Sequence, residues 1–316
     1  MSVKPKIYID GKEGTTGLQI VDRLAGRDDI ELLLIDEDKR KDTAERSKLL
    51  NAADLVFLCL PDEAAREAVS LVTNEDTKII DCSTAHRTTE GWDYGFPELS
   101  PAHRENIQKS QRVANPGCHA TGFISIVYPL IAAGALPPDC PLTCFSLTGY
   151  SGGGKKMIAQ YEGEKGDALY SPRIYGLTQN HKHLPEMQAR CGLTVAPVFC
   201  PVVDDYYKGM ATTVSLHSGL LRCDKSVRVI WEVLSDHYRE QPLIHVAPLN
   251  WDEPMIAANA MAGKDILTLI VCVSEDGARA TVTALFDNLG KGASGAAVQN
   301  MNLIVGFEET AGLNLR

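Results

Sequence analysis

The stretch KIYIDGKEGTTGLQIVDRL, Lys6–Leu24, decides how the chain begins to fold. Lys6–Asp10 is a short run rich in β-formers that ends at Gly11, which predicts a strand followed by a turn. Beyond the turn, Leu18, Val21 and Leu24 recur at helical spacing and predict a helix with these three on one face. Between strand and helix stands GKEGTTG, whose Gly11, Gly14 and Gly17 are spaced GxxGxxG rather than GxGxxG. Glycines let a backbone turn tightly and approach a pyrophosphate, whose charge then meets N–H groups at a helix start. A glycine turn alone is ordinary. Its strand–turn–helix setting makes it a predicted phosphate site.

The same grammar repeats downstream. IELLLIDE, ADLVFLCLP and TKIIDCS read as strands, nearly continuous and apolar as in a parallel sheet covered on both faces. DEAAREAVSLV reads as a helix with an acidic first turn. Strands alternating with helices imply right-handed βαβ units and a Rossmann-like α/β domain. The second strand ends in IDEDKRKD. Asp36 suits a bare ribose hydroxyl, whereas Lys39, Arg40 and Lys41 suit a 2′-phosphate, so the run leans toward NADP(H) while also fitting a solvated charged face.

The second half is different. PLTCFSLTGYSGGG, LTVAPVFCPVV, GMATTVSLHS and DILTLIVCVSEDGARATVTALFD are β-rich, the last with an Asp276-Gly277 hairpin turn. HLPEMQARC and DKSVRVIWEVLSDHYRE read as helices. The expectation is an α+β domain with a mixed or antiparallel sheet. The closing GKGASGAAVQNMNLIVGF, a helix rich in small residues, is expected to return to the first domain. The predicted division is a dinucleotide-binding domain over 1–117, completed by 290–316, and a catalytic, substrate-binding and oligomerisation domain over 118–289.

Composition narrows the partners. In 316 residues, Lys+Arg 31 against Asp+Glu 41 leave a net charge of -10, which argues against nucleic acid and anionic membrane surfaces. No apolar run approaches the roughly 20 residues of a membrane helix, and the N-terminus has no signal-like apolar core. The nine cysteines are scattered without a CxxC pair, which argues against a disulfide framework and a metal site and suits a reducing, cytoplasmic setting.

One cysteine has a pointed address. In NPGCHATG, Asn115–Gly122, Cys118 opens a long apolar helix, where the dipole and N–H groups stabilise a thiolate and an oxyanion beside it. His119, the next residue, is expected to turn about 100° away and to be the lesser partner. QNHKHLPEM offers His181 and His183 before a helix. DCSTAHRTTEGWDYGFPEL holds Ser83, Thr84, Arg87 and Glu98, all able to line the crevice at the strands' carboxyl ends. TGYSGGGKK is a second glycine cluster and carries Lys155.

Taken together, GKEGTTG, NPGCHAT, GYSGGGKK, HKHLPEM and FDNLGKGASGAAVQNMN resemble the N-acetyl-γ-glutamyl-phosphate reductase family of the semialdehyde dehydrogenase superfamily, in its shorter subtype. The motifs span nearly the whole chain in the family's order. One departure is DCSTAHR, where His86 replaces the aromatic that precedes the arginine in the longer subtype. The resemblance implies that Cys118 attacks an acyl phosphate to form a thioester, which NADPH reduces to N-acetylglutamate semialdehyde in arginine biosynthesis. It implies His183 as acid/base, His181 as an orienting or substrate-binding group, and Arg87, Lys155, Asn115 and Glu98 around the substrate. Gly11, Gly14, Thr15, Thr16 and Gly17 would meet the pyrophosphate and Arg40 the 2′-phosphate. Cys59, Pro61, Ser83, Ser151, Gly152 and Asn288 would border the cofactor. A homodimer or homotetramer is the family expectation. Rival readings are aspartate-semialdehyde dehydrogenase, a reductase of the longer aminoadipyl phosphate, and a non-catalytic nucleotide sensor.

Overall fold

Ten elements of the first half follow one another as β1 (Lys6–Asp10), α1 (Thr15–Leu24), β2 (Glu31–Leu33), α2 (Thr43–Ala52), β3 (Leu55–Leu58), α3 (Asp62–Leu71), β4 (Lys78–Asp81), β5 (Asp93–Tyr94), α4 (Pro101–Lys109) and β6 (Arg112–Ala114). The structure, a computed structural model, describes residues 4–222, 226–249 and 251–316. The six strands form one sheet in the order β2-β1-β3-β4-β6-β5, and every pairing is parallel. β3 is buried along its whole length, which explains its unbroken apolar sequence LVFL. β2 is shorter than expected and lies at the sheet edge; Leu34 beyond it is 71% exposed.

α1 turns a different stripe inward from the one its leucines suggest. Gly17, Ile20 and Leu24 are buried, whereas Leu18 is 45% exposed. The close approach of α1 to the preceding turn selects that face, because a Cβ on Gly17 would lie 2.5 Å from the Gly11 carbonyl oxygen. α2, α4, β5 and β6 were not expected. β5 and β6 are too short to show a period, and α2 is a polar helix started by Asp42, whose side chain accepts from the Ala44 and Glu45 N–H groups.

The second half comprises α5 (Cys118–Ala132), β7 (Thr143–Gly149), α6 (Gly154–Glu162), β8 (Arg173–Ile174), α7 (Leu184–Cys191), β9 (Val198–Asp204), β10 (Met210–His217), α8 (Arg228–His237), β11 (Ile244–Val246), β12 (Leu267–Val273) and β13 (Arg279–Phe286), then α9 (Gly295–Val305). The first two residues of the segment expected to form α8 (224–225) lie outside the described residues. The strands form a seven-stranded mixed sheet, β11-β12-β13-β10-β7-β9-β8, parallel at β7–β9 and β11–β12 and antiparallel elsewhere. Gly277 takes a left-handed conformation (φ 66°) in the β12–β13 turn, as the Asp-Gly pair predicts.

The first compact unit runs to Pro116 and takes up Ala293–Leu313; the second is Gly117–Gly292 with Asn314–Arg316. α9 packs Val298 and Met301 into the cluster of Ile7, Ile20, Leu55 and Phe57. Asn314 exchanges hydrogen bonds with Asp265 and donates to the Gly263 carbonyl, which ties the last three residues to the second unit.

Within the second unit α5 lies close on β10. A Cβ on Gly122 would stand 2.4 Å from Thr212 Oγ1 and 3.1 Å from the Phe286 ring. Gly122→Ala therefore sets a helix-propensity gain of about 1 kcal/mol against overpacking. We expect overpacking to win, with a net loss of about 1–2 kcal/mol and a lower urea midpoint. An unchanged or raised midpoint would mean that β10 yields to the helix.

Candidate active site

The turn after β1 is shaped by what cannot fit there. Gly11 has φ +85°, and a Cβ on it would lie 2.5 Å from the Cys59 carbonyl oxygen at the end of β3. α1 starts at Gly14 without a side-chain cap, so its first N–H groups face the turn. Thr15 Oγ1 is buried there with no hydrogen-bond partner. Uncapped N–H groups, side-chain-free backbone and an orphaned hydroxyl fit a bound pyrophosphate. Pro61, the N-cap of α3, follows Cys59 at the β3 end.

Next to this turn is a cavity of about 410 Å³ lined by residues that include Asp10, Arg40, Lys41 and Arg46. Arg40 pairs with Glu37 at 3.0 Å and Asp36 with Lys39 at 3.1 Å, all on the exposed run read from sequence. Arg46 was not foreseen. Its guanidinium is buried against Asp10 at 2.9 Å, and nothing in the polar α2 sequence marks it.

At the end of β4, Asp81 Oδ2 accepts from Ser83 Oγ (2.7 Å) and His86 Nδ1 (2.6 Å), and the His86 ring stacks on Trp92 at 4.1 Å. That clasp accounts for the departure at His86. The next residue, Arg87, donates from Nε to the Asn115 carbonyl (2.9 Å) and from a terminal nitrogen to the Cys82 carbonyl (3.2 Å). Arg87 and Asn115 are thus joined, and Asn115 is further held by Asn300 and the Ala293 carbonyl. Glu98 differs: its buried carboxylate accepts from Gln299 of α9, in packing that holds the helix.

In the second unit Cys118 is the first residue of α5, whose N-cap Gly117 offers no capping side chain. Instead the Gly117 N–H donates to Glu186 Oε1 of α7 at 2.8 Å, and Glu186 is 1% exposed. His183 is the N-cap of α7, and its backbone N–H donates to His181 Nδ1 at 3.2 Å. That bond makes Nδ1 an acceptor, so neutral His181 carries its proton on Nε2. The two rings are 4.9 Å apart, and His119 lies 5.8 Å and 5.7 Å from them. The His119 ring therefore belongs to the cluster that sequence reasoning assigned to the other two. It bridges Ser146 Oγ (Nδ1, 2.7 Å) and the Tyr175 hydroxyl (Nε2, 2.6 Å). Ser146, Tyr175 and Glu186 were not foreseen; only the PE of HKHLPEM gave a signal for Glu186.

Burial, reinforced by His181 and Lys182, pushes His119 down to about 3. Burial and Lys182 push His181 down to about 4. Both imidazoles are neutral at neutral pH. Among the described residues no group of His, Cys, Asp and Glu is arranged to hold a metal ion. Asn288 donates to Ser151 Oγ (3.0 Å) and accepts from the Gly209 N–H (2.8 Å), with Gly152 alongside, so the structure brings Ser151, Gly152 and Asn288 together. Lys155 stands exposed on α6, and no cysteine among the described residues is in a disulfide.

The parallel sheet and its glycine-lined helix start are those of a dinucleotide-binding domain. Residues 6–108 match the model described as semialdehyde dehydrogenase, NAD binding domain, and 118–288 the model described as semialdehyde dehydrogenase, dimerisation domain. N-acetyl-gamma-glutamyl-phosphate reductase 2 of Nostoc sp. is 48% identical over 98% of this chain and 99% of its own. N-acetyl-gamma-glutamyl-phosphate reductase of Sinorhizobium medicae is 48% identical over 96% and 99%. Among solved structures, aspartate semialdehyde dehydrogenase II from Vibrio cholerae, complexed with ASA, shares the fold at a TM-score of 0.74 and 16% identity, over 96% of this chain and 99% of that one. The chain belongs to the semialdehyde dehydrogenase family and, within it, to the N-acetyl-γ-glutamyl-phosphate reductases.

The buried neutral His119 has a consequence for stability. An unfolded imidazole takes up a proton near pH 6.5, whereas the folded one does so only near pH 3. Below pH 6.5 the unfolded state binds more protons, so stability falls as the solution is acidified. Between pH 7 and 5 this one group should cost about 2 kcal/mol. Urea midpoints at the two pH values should show a steeper loss for the native protein than for His119→Gln; equal losses would contradict the assignment.

Proposed function

We propose that the protein catalyses NADPH-dependent reductive dephosphorylation of N-acetyl-γ-glutamyl phosphate to N-acetylglutamate 5-semialdehyde and phosphate, the step of arginine biosynthesis for which its relatives are named. The observation that carries this reading is a cysteine at a helix start whose N-cap is held by Glu186 and whose next residue, His119, shares a ring cluster with His181 and His183, in a chain 48% identical to reductases of that name. Cys118 is the nucleophile. Its sulfur bonds to the acyl carbon while the carbon–oxygen bond to phosphate breaks, leaving a thioester on Cys118 and expelling phosphate. The N–H groups at the start of α5 stabilise the oxyanion of the tetrahedral stage. A nicotinamide, when bound, supplies the hydride that reduces the thioester carbon.

His183 handles the proton of the Cys118 thiol. His181, held down to about 4, is too weak a base for this at neutral pH and serves as a donor through Nε2. Arg87 and Lys155 hold the phosphate or carboxylate, with Asn115 beside Arg87. Gly11, Gly14, Thr15, Thr16 and Gly17 receive the pyrophosphate, with Cys59, Pro61 and Ser83 at the neighbouring strand ends. Ser151, Gly152 and Asn288 border the nicotinamide. Arg40 and Lys41, lining the cavity beside Gly11, favour NADP over NAD through its 2′-phosphate. Glu98, whose Oε1 accepts from Gln299, is the remaining substrate-side candidate.

The reverse reaction tests this reading. Purified protein with N-acetylglutamate semialdehyde and phosphate should form NADPH from NADP faster than NADH from NAD. Turnover with aspartate semialdehyde instead would assign the chain to that dehydrogenase. Cys118→Ser should lower turnover by at least about 10³-fold while NADPH fluorescence still reports binding.

The same reading makes the protein a cytoplasmic homodimer or homotetramer. Phe145 and Val198, 46% and 53% exposed, lie on one face of neighbouring strands β7 and β9 in the region matched by the dimerisation model. A second copy of the chain covers that face. Phe145→Glu should shift the sedimentation coefficient toward the monomer; an unchanged coefficient would place the interface elsewhere.

A further inference from the structure

Two thiols at the carboxyl ends of β3 and β4 have, as a pair, no task in the proposed reaction. Leu58 and Asp81 are in-register partners of these parallel strands, and the Cys82 N–H donates to the Leu58 carbonyl at 2.9 Å. The ladder therefore runs one residue further and sets Cys59 opposite Cys82. The Cys59 N–H donates to the Asp10 carbonyl of β1 at 2.8 Å, so main-chain bonds fix the β3 end on both sides. Neighbouring strands lie about 4.8 Å apart, inside the roughly 4.4–6.8 Å that separates the Cα atoms of a disulfide.

Both side chains also point the same way. Cys59 and Cys82 pack against the cluster of Ile7, Ile9, Ile20 and Phe57, whereas Leu58 packs on the opposite face with Tyr8 and Val56. Cys144 and Cys200, on neighbouring β7 and β9, lack that arrangement. Cys144 is opposite Phe199 and Cys200 opposite Phe145, so the two sulfurs leave opposite faces of the sheet. Cys59 and Cys82 are partly exposed and neither is in a disulfide. A hydrogen bond to Cys82, and then burial, hold the Cys59 thiol well above its ordinary value, so it keeps its proton and donates to the Cys82 sulfur.

The peptides that carry these thiols also carry the site. The bare backbone of Gly11 rests on the Cys59 carbonyl, where a Cβ would lie 2.5 Å from the oxygen and 2.9 Å from the carbon. The Cys82 carbonyl accepts from Arg87 at 3.2 Å.

We propose that Cys59 and Cys82 form an oxidative modification site, which closes to a disulfide by exchange with a small-molecule disulfide and in closing weakens the dinucleotide site at Gly11. Cys82, the acceptor of the pair, attacks as the thiolate. Its sulfur bonds to one sulfur of the external disulfide, and the other leaves as a thiolate that water protonates. Cys59 then gives its proton to solvent, bonds to the Cys82 sulfur and expels the second external thiol. Two protein thiols are oxidised and one external disulfide is reduced to two thiols. Closure draws the strand ends together and shifts the Cys59 peptide, and the Gly11 turn, which has no space against that peptide, moves with it. The inference rests on the reading of this turn as the cofactor's.

The test equilibrates full-length protein in glutathione buffers of graded oxidation, maps the quenched peptides by mass spectrometry, and reads NADPH binding by fluorescence. A peptide joined through Cys59 and Cys82 is expected, and the oxidised protein should bind NADPH about tenfold more weakly, with recovery in dithiothreitol. By linkage, saturating NADPH should lower the equilibrium constant for closure by the same factor. Cys82→Ser should bind NADPH as the reduced native protein does and keep that affinity in every buffer; Cys82→Ala serves where serine disturbs the strand end. An adduct on Cys118 arises in native protein and variant alike, so the difference between them reads the pair. Absence of the joined peptide, arrest as a glutathione adduct on Cys82, or NADPH affinity changed less than about twofold on closure would each overturn the proposal. Reduced protein that binds no NADPH would sink the cofactor reading, while the joined peptide decides the disulfide site independently of it.

Discussion

The hydrogen bond from the Gly117 N–H to Glu186 Oε1 is the contact on which the thiol site depends. α5 begins with a glycine that cannot cap it, and a carboxylate from another helix fixes its start instead. An acceptor at a helix N-terminus is electrostatically favourable, and here it also anchors the residue preceding the cysteine. Glu186 lies three residues after His183, at the start of α7. The segment HKHLPEM is thus one physical unit, in which a single helix start carries two imidazoles and the carboxylate that clamps the start of α5.

Burial assigns the imidazoles different work. A general base needs an ionisation near the working pH. His119 and His181 are driven too low for that, mainly by loss of solvent, and become neutral groups whose single protons are directed by their neighbours. The Phe199 ring packs edge-on against both, 5.2 Å from His119 and 5.1 Å from His181, and is part of that burial.

A missing side chain governs the first unit. Gly11 and Gly17 leave bare backbone around an uncapped helix start, and the buried Arg46–Asp10 pair supports the wall next to it. That pair is costly to break, since either partner alone would be an uncompensated buried charge.

Much of this was legible in the sequence because it is local. The alternation of apolar runs set the parallel sheet, GxxGxxG marked its first turn, and Pro116-Gly117 marked the start of the Cys118 helix. His181 and His183 stood out through adjacency to each other and to Pro185-Glu186. Local pattern failed where a neighbour distant in sequence decides the outcome. Leu18 matched the helical period, but the Gly11 turn chose Gly17 and Ile20 as the buried face. Glu98 reads as a crevice residue, and no local pattern shows that Gln299, about two hundred positions away, donates to its carboxylate. His119 stands next to Cys118 in sequence, but its hydrogen-bond partners Ser146 and Tyr175 come from β7 and the β8–α7 connection. The chain by itself determined which elements form and where a thiol meets a helix end, because those depend on periodicity and short-range backbone geometry. Only the tertiary structure decided which polar groups lose water together, and therefore which protons are held in place.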